Sequence, residues 1–402
     1  MSDAIQLEEY RDTDVELVGA DADFVEVKLA TKFSIRRALH GDRYVLNPSQ
    51  YVGVVALPSG RRLESYPKVP VRNLFHMLAV AFELESPFRD EAIHLERLDE
   101  LLEFVVAHFA NLVEARVDHG LYRDYVEVEE NLGTVRGRIS IAEDLRRNHV
   151  TRHRTYCRFT EFTWDVPENQ VVRQVVHRLA GWGMRPVLQQ RLRSLDGVLG
   201  EVRPTALPVS ALDRIRYHRL NEDYRPIHQL CRLFLEGASL SEQEGVLDFR
   251  TFLVDMNRLF EAFVTQLLRE RAPATVTVDR QVLVHLGQNK AIRMFPDILL
   301  GRRARPTLVA DCKYKRLSTT DTHGHDVYQM LAYCTAARVR RGVLIYPAHA
   351  SVAQDEVAVR HTDVRISRMA IDLGREGPEL VAECDDFATR LFESVEPEES
   401  AF

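Results

Sequence analysis

No stretch of this 402-residue sequence comes near the run of about 18 apolar residues that a membrane-crossing helix requires. The opening residues, MSDAIQLEEYRDTDVE, are acidic and lack the apolar core of a signal peptide. Secretion and membrane insertion are therefore not expected, and a cytoplasmic setting is. Cysteine is scarce: Cys157, Cys231, Cys312, Cys334 and Cys384 are odd in number, scattered and never in a Cys-x-x-Cys pair. That argues against a disulfide framework or a zinc site and fits free thiols in a reducing compartment. A Gly-x-x-x-x-Gly-Lys-Ser/Thr loop is also missing; Gly133 and Gly137 in Val126–Ile141 punctuate strand-like segments instead. Internal repeats and low-complexity linkers are absent. What is left, 45% hydrophobic and 28% charged residues, is an ordinary globular composition long enough for two or three domains.

Net charge is −7, which taken whole argues against a nucleic-acid coat protein. The charge is uneven, however. Lys290, Arg293, Arg302, Arg303, Arg305, Lys313, Lys315 and Arg316 crowd around only two acids, Asp297 and Asp311. A second basic stretch runs from Arg136 to Arg158, and much of the acidity lies after Ile371. Excess positive charge around a carboxylate pair suits a cleft that holds a polyphosphate chain.

The segment Arg293–Tyr333 carries the chemistry. Two apolar runs, Met294–Leu300 and Thr307–Ala310, flank the connector GRRARP, which predicts a β-hairpin with Asp297 in the first strand and Asp311 just after the second. Lys313 is two places beyond Asp311, so both point to one face of an extended chain. Two carboxylates and an ammonium at one end of a hairpin suit metal-assisted phosphodiester hydrolysis. Mg2+ (with Mn2+ as a substitute) takes oxygen ligands, here Asp297, Asp311 and the main-chain carbonyl of Cys312. Lys313 is then placed to orient the attacking water or stabilise the transition state.

The spacing Pro296-Asp297 … Asp311-Cys312-Lys313 resembles the PD-(D/E)xK nuclease signature. A helical stretch, Val327–Ala337, follows and carries Gln329 and Tyr333 four apart on one face, similar to the Q-x-x-x-Y element of some branches of that superfamily. An amphipathic helix over Phe252–Arg269 precedes the hairpin with Glu261 in its middle. Several superfamily members add such a glutamate to the metal site; a solvated glutamate is the alternative. The THGHD run, with His323, His325 and Asp326, reads as a polar capping loop.

The remainder divides coarsely. Residues 1–125 predict a β-rich and helical module, with strands over Phe24–Leu29, Tyr44–Leu46 and Tyr51–Leu57 and helices over Arg72–Leu84 and Ile93–Ala115. Residues 126–245 predict a mainly helical linking region. Asp165 is its candidate N-cap for a helix with Pro167 and Glu168 in the first turn, and further helices lie at Pro186–Leu199 and Tyr224–Leu235. Residues 246–402 predict the catalytic domain with an acidic tail. The fold class is α+β, the last part an α/β core with a central mixed sheet.

Across most of its length the chain resembles the McrC family, nuclease subunits of McrBC-type modification-dependent (type IV) restriction systems. The segments VGVVALPSGRRLESYPKVP, LGTVRGRI, VPENQVVRQVVHRL and NEDYRPIHQLCRLFLEG carry that resemblance together with the nuclease signature. It implies a Mg2+-dependent endonuclease of a hetero-oligomer that cleaves modified double-stranded DNA, containing methylcytosine, in phage defence. It also implies an McrB-like AAA+ GTPase partner, which binds the GTP, reads the modified base and is stimulated by the N-terminal half of this chain. Two other readings stand beside it: a non-cleaving adaptor that activates the motor, and a stand-alone DNA-repair nuclease of the same superfamily.

Overall fold

The computed structural model describes residues 4–38, 43–82, 97–149, 153–182, 184–238, 251–302, 305–315, 324–348 and 356–395. The architecture is α+β, with two compact units. One joins Met1–Leu101 to Arg250–Phe402; the other is Leu102–Phe249. Among the described residues no helix is long and apolar enough to cross a membrane.

In the first unit, Tyr51–Ala56 pairs antiparallel with both Arg62–Tyr66 and Thr251–Asp255, and Ala4–Glu8 adds in parallel beside Arg62–Tyr66. The chain thus returns after nearly two hundred residues to complete the sheet of its own front module. Gly53 makes the close pairing possible: its φ is 143°, and a Cβ there would lie 2.0 Å from the Phe252 carbonyl oxygen. Gly53→Ala is expected to destabilise this unit by ~3 kcal/mol, read as a lowered urea midpoint. An unchanged midpoint would argue against that strand pairing. A second tie is Asn73, buried on the helix Val71–Ala81, whose Nδ2 donates to the carbonyls of Leu373 and Arg375 at 2.7 Å each.

The same unit contains a six-stranded mixed sheet in the order Val276–Arg280, Ile298–Arg302, Arg305–Cys312, Arg341–Ala348, Arg365–Asp372, Glu356–Ala358. The expected hairpin pairs antiparallel, Ile298 opposite Ala310, but the ladder runs past a bulge at Leu300/Gly301 into the expected connector, Gly301 opposite Pro306 and Arg302 opposite Arg305. Arg305–Cys312 and Arg341–Ala348 are parallel, and the helix Gly324–Ala337 lies between them in sequence, as a parallel pair requires. Met330 and Cys334 of that helix are fully buried against Leu344 and Val309. The helix Met256–Arg271 buries Leu259, Phe260, Phe263, Val264, Leu267 and Leu268, an apolar stripe at helical spacing.

The second unit combines helices with a small antiparallel sheet of Asp124–Leu132, Thr155–Thr163 and Arg138–Ile139. Within its apolar core sits a buried polar network. Asn169 donates to the carbonyls of Tyr122 and Trp164 and accepts from Tyr224 Oη, while Asn221 Nδ2 donates to Glu168 Oε1. The two segments VPENQVV and NEDYRPIH are therefore one interlocked knot. Such a network favours a single arrangement because any broken bond would strand a buried polar atom.

Several sequence expectations are corrected. Phe24–Leu29 is helical, the end of a helix Ala20–Phe24 continuing as a wider turn through Leu29. Its alternating look misleads: Ala22, Val25 and Leu29 are buried at helical spacing while Val27 is 66% exposed. The helix placed at Phe252 starts at Met256, because Thr251–Asp255 is claimed by the front sheet and Asp255 caps the helix through Asn257 N and Arg258 N. Asp165 is not an N-cap. Its carboxylate accepts from Gln170 Nε2 and Arg203 N, and the helix opens at Pro167, whose missing N–H needs no cap. Asp297 lies in a bend just before the strand Ile298–Arg302, since Pro296 has no N–H for the ladder, and Asp311 lies inside the strand Arg305–Cys312. Residues 93–96 of the helix expected at Ile93–Ala115 fall outside the described residues; a helix is present over Leu98–Asp118.

Candidate active site

The carboxyl ends of the strands Arg305–Cys312 and Arg341–Ala348, the bend before Ile298 and the helices Met256–Arg271 and Gly324–Ala337 converge on one cluster. Asp311 is 2% exposed, and Lys313 Nζ lies 2.6 Å from its Oδ2. The contact is a close charge pair on a buried oxygen. Lys313 Nζ donates to Gln329 Oε1 at 2.9 Å, and Gln329 Nε2 donates to Tyr333 Oη at 2.9 Å. The two-residue step from Asp311 to Lys313 and the four-residue step from Gln329 to Tyr333 thus meet as one chain of contacts. The Lys313 main chain is held too, its N–H donating to the Ile345 carbonyl at 2.8 Å.

Asp297 is gripped from several sides. Its Oδ2 accepts from Cys312 N at 2.8 Å and its Oδ1 from Gln281 Nε2 at 3.1 Å. Gln281 Nε2 also donates to Glu261 Oε1 at 3.0 Å, and Arg280 Nε donates to the same oxygen at 3.0 Å. All of Asp297, Asp311, Cys312, Lys313, Gln329, Tyr333 and Glu261 are therefore in the cluster. Glu261, whose side chain is 15% exposed, is shared between the site and Arg280 rather than freely solvated.

The electrostatics are strained by design of the packing. Burial, then the charges of Asp311 and Glu261, push the Asp297 carboxyl up to about 7 against the pull of Cys312 N–H and Lys313. Burial likewise raises Asp311, with Lys313 opposing. Burial would lower Lys313, but the adjacent Asp311 and Asp297 outweigh it and raise that ammonium. The result is a buried carboxylate pair short of positive charge, held beside a firmly protonated lysine.

Three neighbours were not among the expected site residues. Arg280 ends the first strand of the sheet and Gln281 follows it in a bend, and nothing in their local sequence marks them. Asp326 is buried in the first turn of the helix Gly324–Ala337, accepts from Tyr346 Oη at 3.0 Å and pairs with the half-exposed Lys315 at 2.6 Å, so the expected capping loop supplies an anchoring carboxylate at the helix start. His325 is exposed, and His323 lies outside the described residues. Among the described residues no group of three or more His, Cys, Asp and Glu side chains forms a ready-made metal cage.

Comparisons with known proteins agree over most of the chain. A family model described as McrBC 5-methylcytosine restriction system component matches residues 46–347. The type IV methyl-directed restriction enzyme EcoKMcrBC of Escherichia coli strain K12 is 22% identical over 336 residues, covering 78% of this chain and 95% of that protein. A refined half-complex from the tetradecameric assembly of Thermococcus gammatolerans McrB AAA+ hexamers with bound McrC matches with a TM-score of 0.57 at 18% identity, over 98% of this chain and 100% of the matched one. A cryo-EM structure of the T. gammatolerans McrBC complex matches with a TM-score of 0.43 at 21% identity, over 67% and 88%.

Proposed function

Because this chain belongs to the family of McrBC 5-methylcytosine restriction system components, we propose that it is the nuclease subunit of such a system, a Mg2+-dependent endonuclease of PD-(D/E)xK type acting on modified double-stranded DNA. The observation that carries this reading is the convergence of Asp297, Asp311 and Lys313 with the Gln329–Tyr333 pair in one half-buried cluster centred on the buried Asp311. The donor set fits a hard cation: all candidate ligands are oxygens, and burial and like charge disfavour the ionised forms of Asp297 and Asp311 until a further cation sits between them. Asp297, Asp311 and the Cys312 carbonyl would hold Mg2+, with Glu261 as the further carboxylate facing it, Mn2+ as a substitute and solvent completing the shell. When bound, the cation lowers the pKa of water and neutralises charge on the phosphate.

The chain's own groups do the rest. Gln329 and Asp311 hold Lys313 in one place, and an ammonium has three donors, so a further N–H is directed at the phosphate or the attacking water. Tyr333 fixes the Gln329 amide, and with it the lysine. Because Lys313 stays charged, it stabilises developing negative charge and does not act as the base. Burial around Asp311 keeps bulk water from screening these charges.

An AAA+ GTPase that binds the GTP and reads the modified base is the proposed partner in a cytoplasmic hetero-oligomer. The matched solved structures are, by their descriptions, assemblies of McrB with McrC. The test mixes the chain with an AAA+ GTPase encoded beside it, GTP and Mg2+, on methylated and unmethylated plasmid. Cleavage of the methylated plasmid alone is expected. Raised GTP hydrolysis with neither plasmid cut would overturn the nuclease assignment in favour of an adaptor.

A further inference from the structure

The amide of Gln281 stands between two carboxylates that would otherwise repel each other. Its Nε2 donates to Glu261 Oε1 at 3.0 Å and to Asp297 Oδ1 at 3.1 Å. The Gln281 main chain grips Asp297 as well, its N–H donating to the Asp297 carbonyl at 3.1 Å. Gln281 reaches this position with φ 51°, a left-handed conformation that a side-chain-bearing residue adopts only at a cost of about 1–2 kcal/mol. Strain of this kind is kept where the surroundings impose it, which is common around functional groups. Among the described residues, the hydrogen bonds that Glu261 receives on its carboxylate, from Arg280 and Gln281, both fall on Oε1.

We propose that Gln281 is a positioning residue for cation binding: one amide fastens the helix-borne Glu261 to Asp297, turning two separately mounted carboxylates into a single pre-set pair. The inference rests on the cation-dependent reading above and deepens it. Carboxylates that ligate a metal hold their orientation through hydrogen bonds from groups outside the coordination shell, and losing such a donor weakens metal binding about 10–100-fold. Without the amide, Asp297 keeps the Cys312 N–H on Oδ2 but loses the donor that orients Oδ1. Glu261 keeps Arg280, which draws it toward the strand Val276–Arg280 and not toward Asp297. Each carboxylate then turns independently, and the cation must order both on arrival.

Gln281→Ala and the similarly sized Gln281→Met both remove the donor, and the second fills the same space. Direct Mn2+ titration by calorimetry on the full chain, with no DNA or partner present, is expected to show affinity lowered about 10–100-fold in both variants. DNA cleavage with the partner should need correspondingly more metal and recover as Mn2+ is raised, a shift in metal requirement that a general loss of structure would not produce. Mn2+ affinity within about twofold of the parent in either variant, once circular dichroism shows it folded, would overturn the proposal while leaving the nuclease reading standing. If the parent chain itself binds no Mn2+ and cuts no DNA, the nuclease reading falls and the role of Gln281 falls with it.

Discussion

Asp311→Asn is expected to abolish DNA cleavage, by about a thousandfold or more, while leaving the protein folded. Asparagine keeps the shape of the side chain but removes a formal charge from the most buried oxygen pair in the cluster. A neutral amide there neither attracts a cation nor anchors Lys313 by charge, although Lys313 keeps its bond to Gln329. Stability should move the other way. Ionised Asp311 is disfavoured by burial and raises Asp297 by repulsion, so the neutral variant relieves both costs. Thermal unfolding at about pH 8 should therefore match or exceed the parent, and stimulation of GTP hydrolysis in the partner should persist. Cleavage within about tenfold of the parent would remove Asp311 from the catalytic set. An unfolded variant would make it a structural residue instead.

Metal affinity and cleavage should both fall steeply on acidification, about tenfold for each pH unit below the Asp297 transition near 7. A protonated carboxyl is no cation ligand, so binding there must release a proton. Burial is the main cause of the raised value, followed by Asp311 and Glu261, and the two aspartates titrate together as a pair. The stability of the metal-free protein runs oppositely. The folded Asp297 carboxyl holds its proton more firmly than the unfolded one, so its contribution is full below the unfolded value near 3.8 and is lost as pH rises through about 7. Mild acid should thus stabilise the metal-free chain while weakening its hold on Mn2+. Calorimetric Mn2+ titrations and thermal melts across about pH 5.5 to 8 read both slopes, and a flat affinity over that range would mean Asp297 is not a ligand. Asp311→Asn, which removes the like charge, should move the Asp297 transition to lower pH.

The candidate site was legible because its steps follow secondary-structure periods. Asp311 and Lys313 are two apart on a strand, and Gln329 and Tyr333 four apart on a helix, so each pair shares a face by local geometry alone. The hairpin was legible from its two apolar runs, although Gly301 and Pro306, expected in the connector, pair with each other in the ladder. Where local pattern competed with long-range packing, it misled. The alternation in Phe24–Leu29 suggested a strand, yet burial selected the helical set Ala22, Val25 and Leu29. Phe252–Asp255 looked like the start of a helix and joined a strand because Tyr51–Ala56 offered it an unpaired edge.

By itself the amino-acid sequence determined the chemistry on offer, two carboxylates, a lysine and a glutamine–tyrosine pair, and the local elements that carry them. Only the tertiary structure decided how those elements meet. It made the front module and the C-terminal region one compact unit, through the Tyr51–Ala56 edge and the Asn73 contacts. It also brought Gln281 against Glu261 and Asp297. Periodicity acts over a few residues and can be read from the chain, whereas these contacts join residues with no shared local period. Their energy comes from burial and hydrogen bonding that exist only once the chain has closed upon itself.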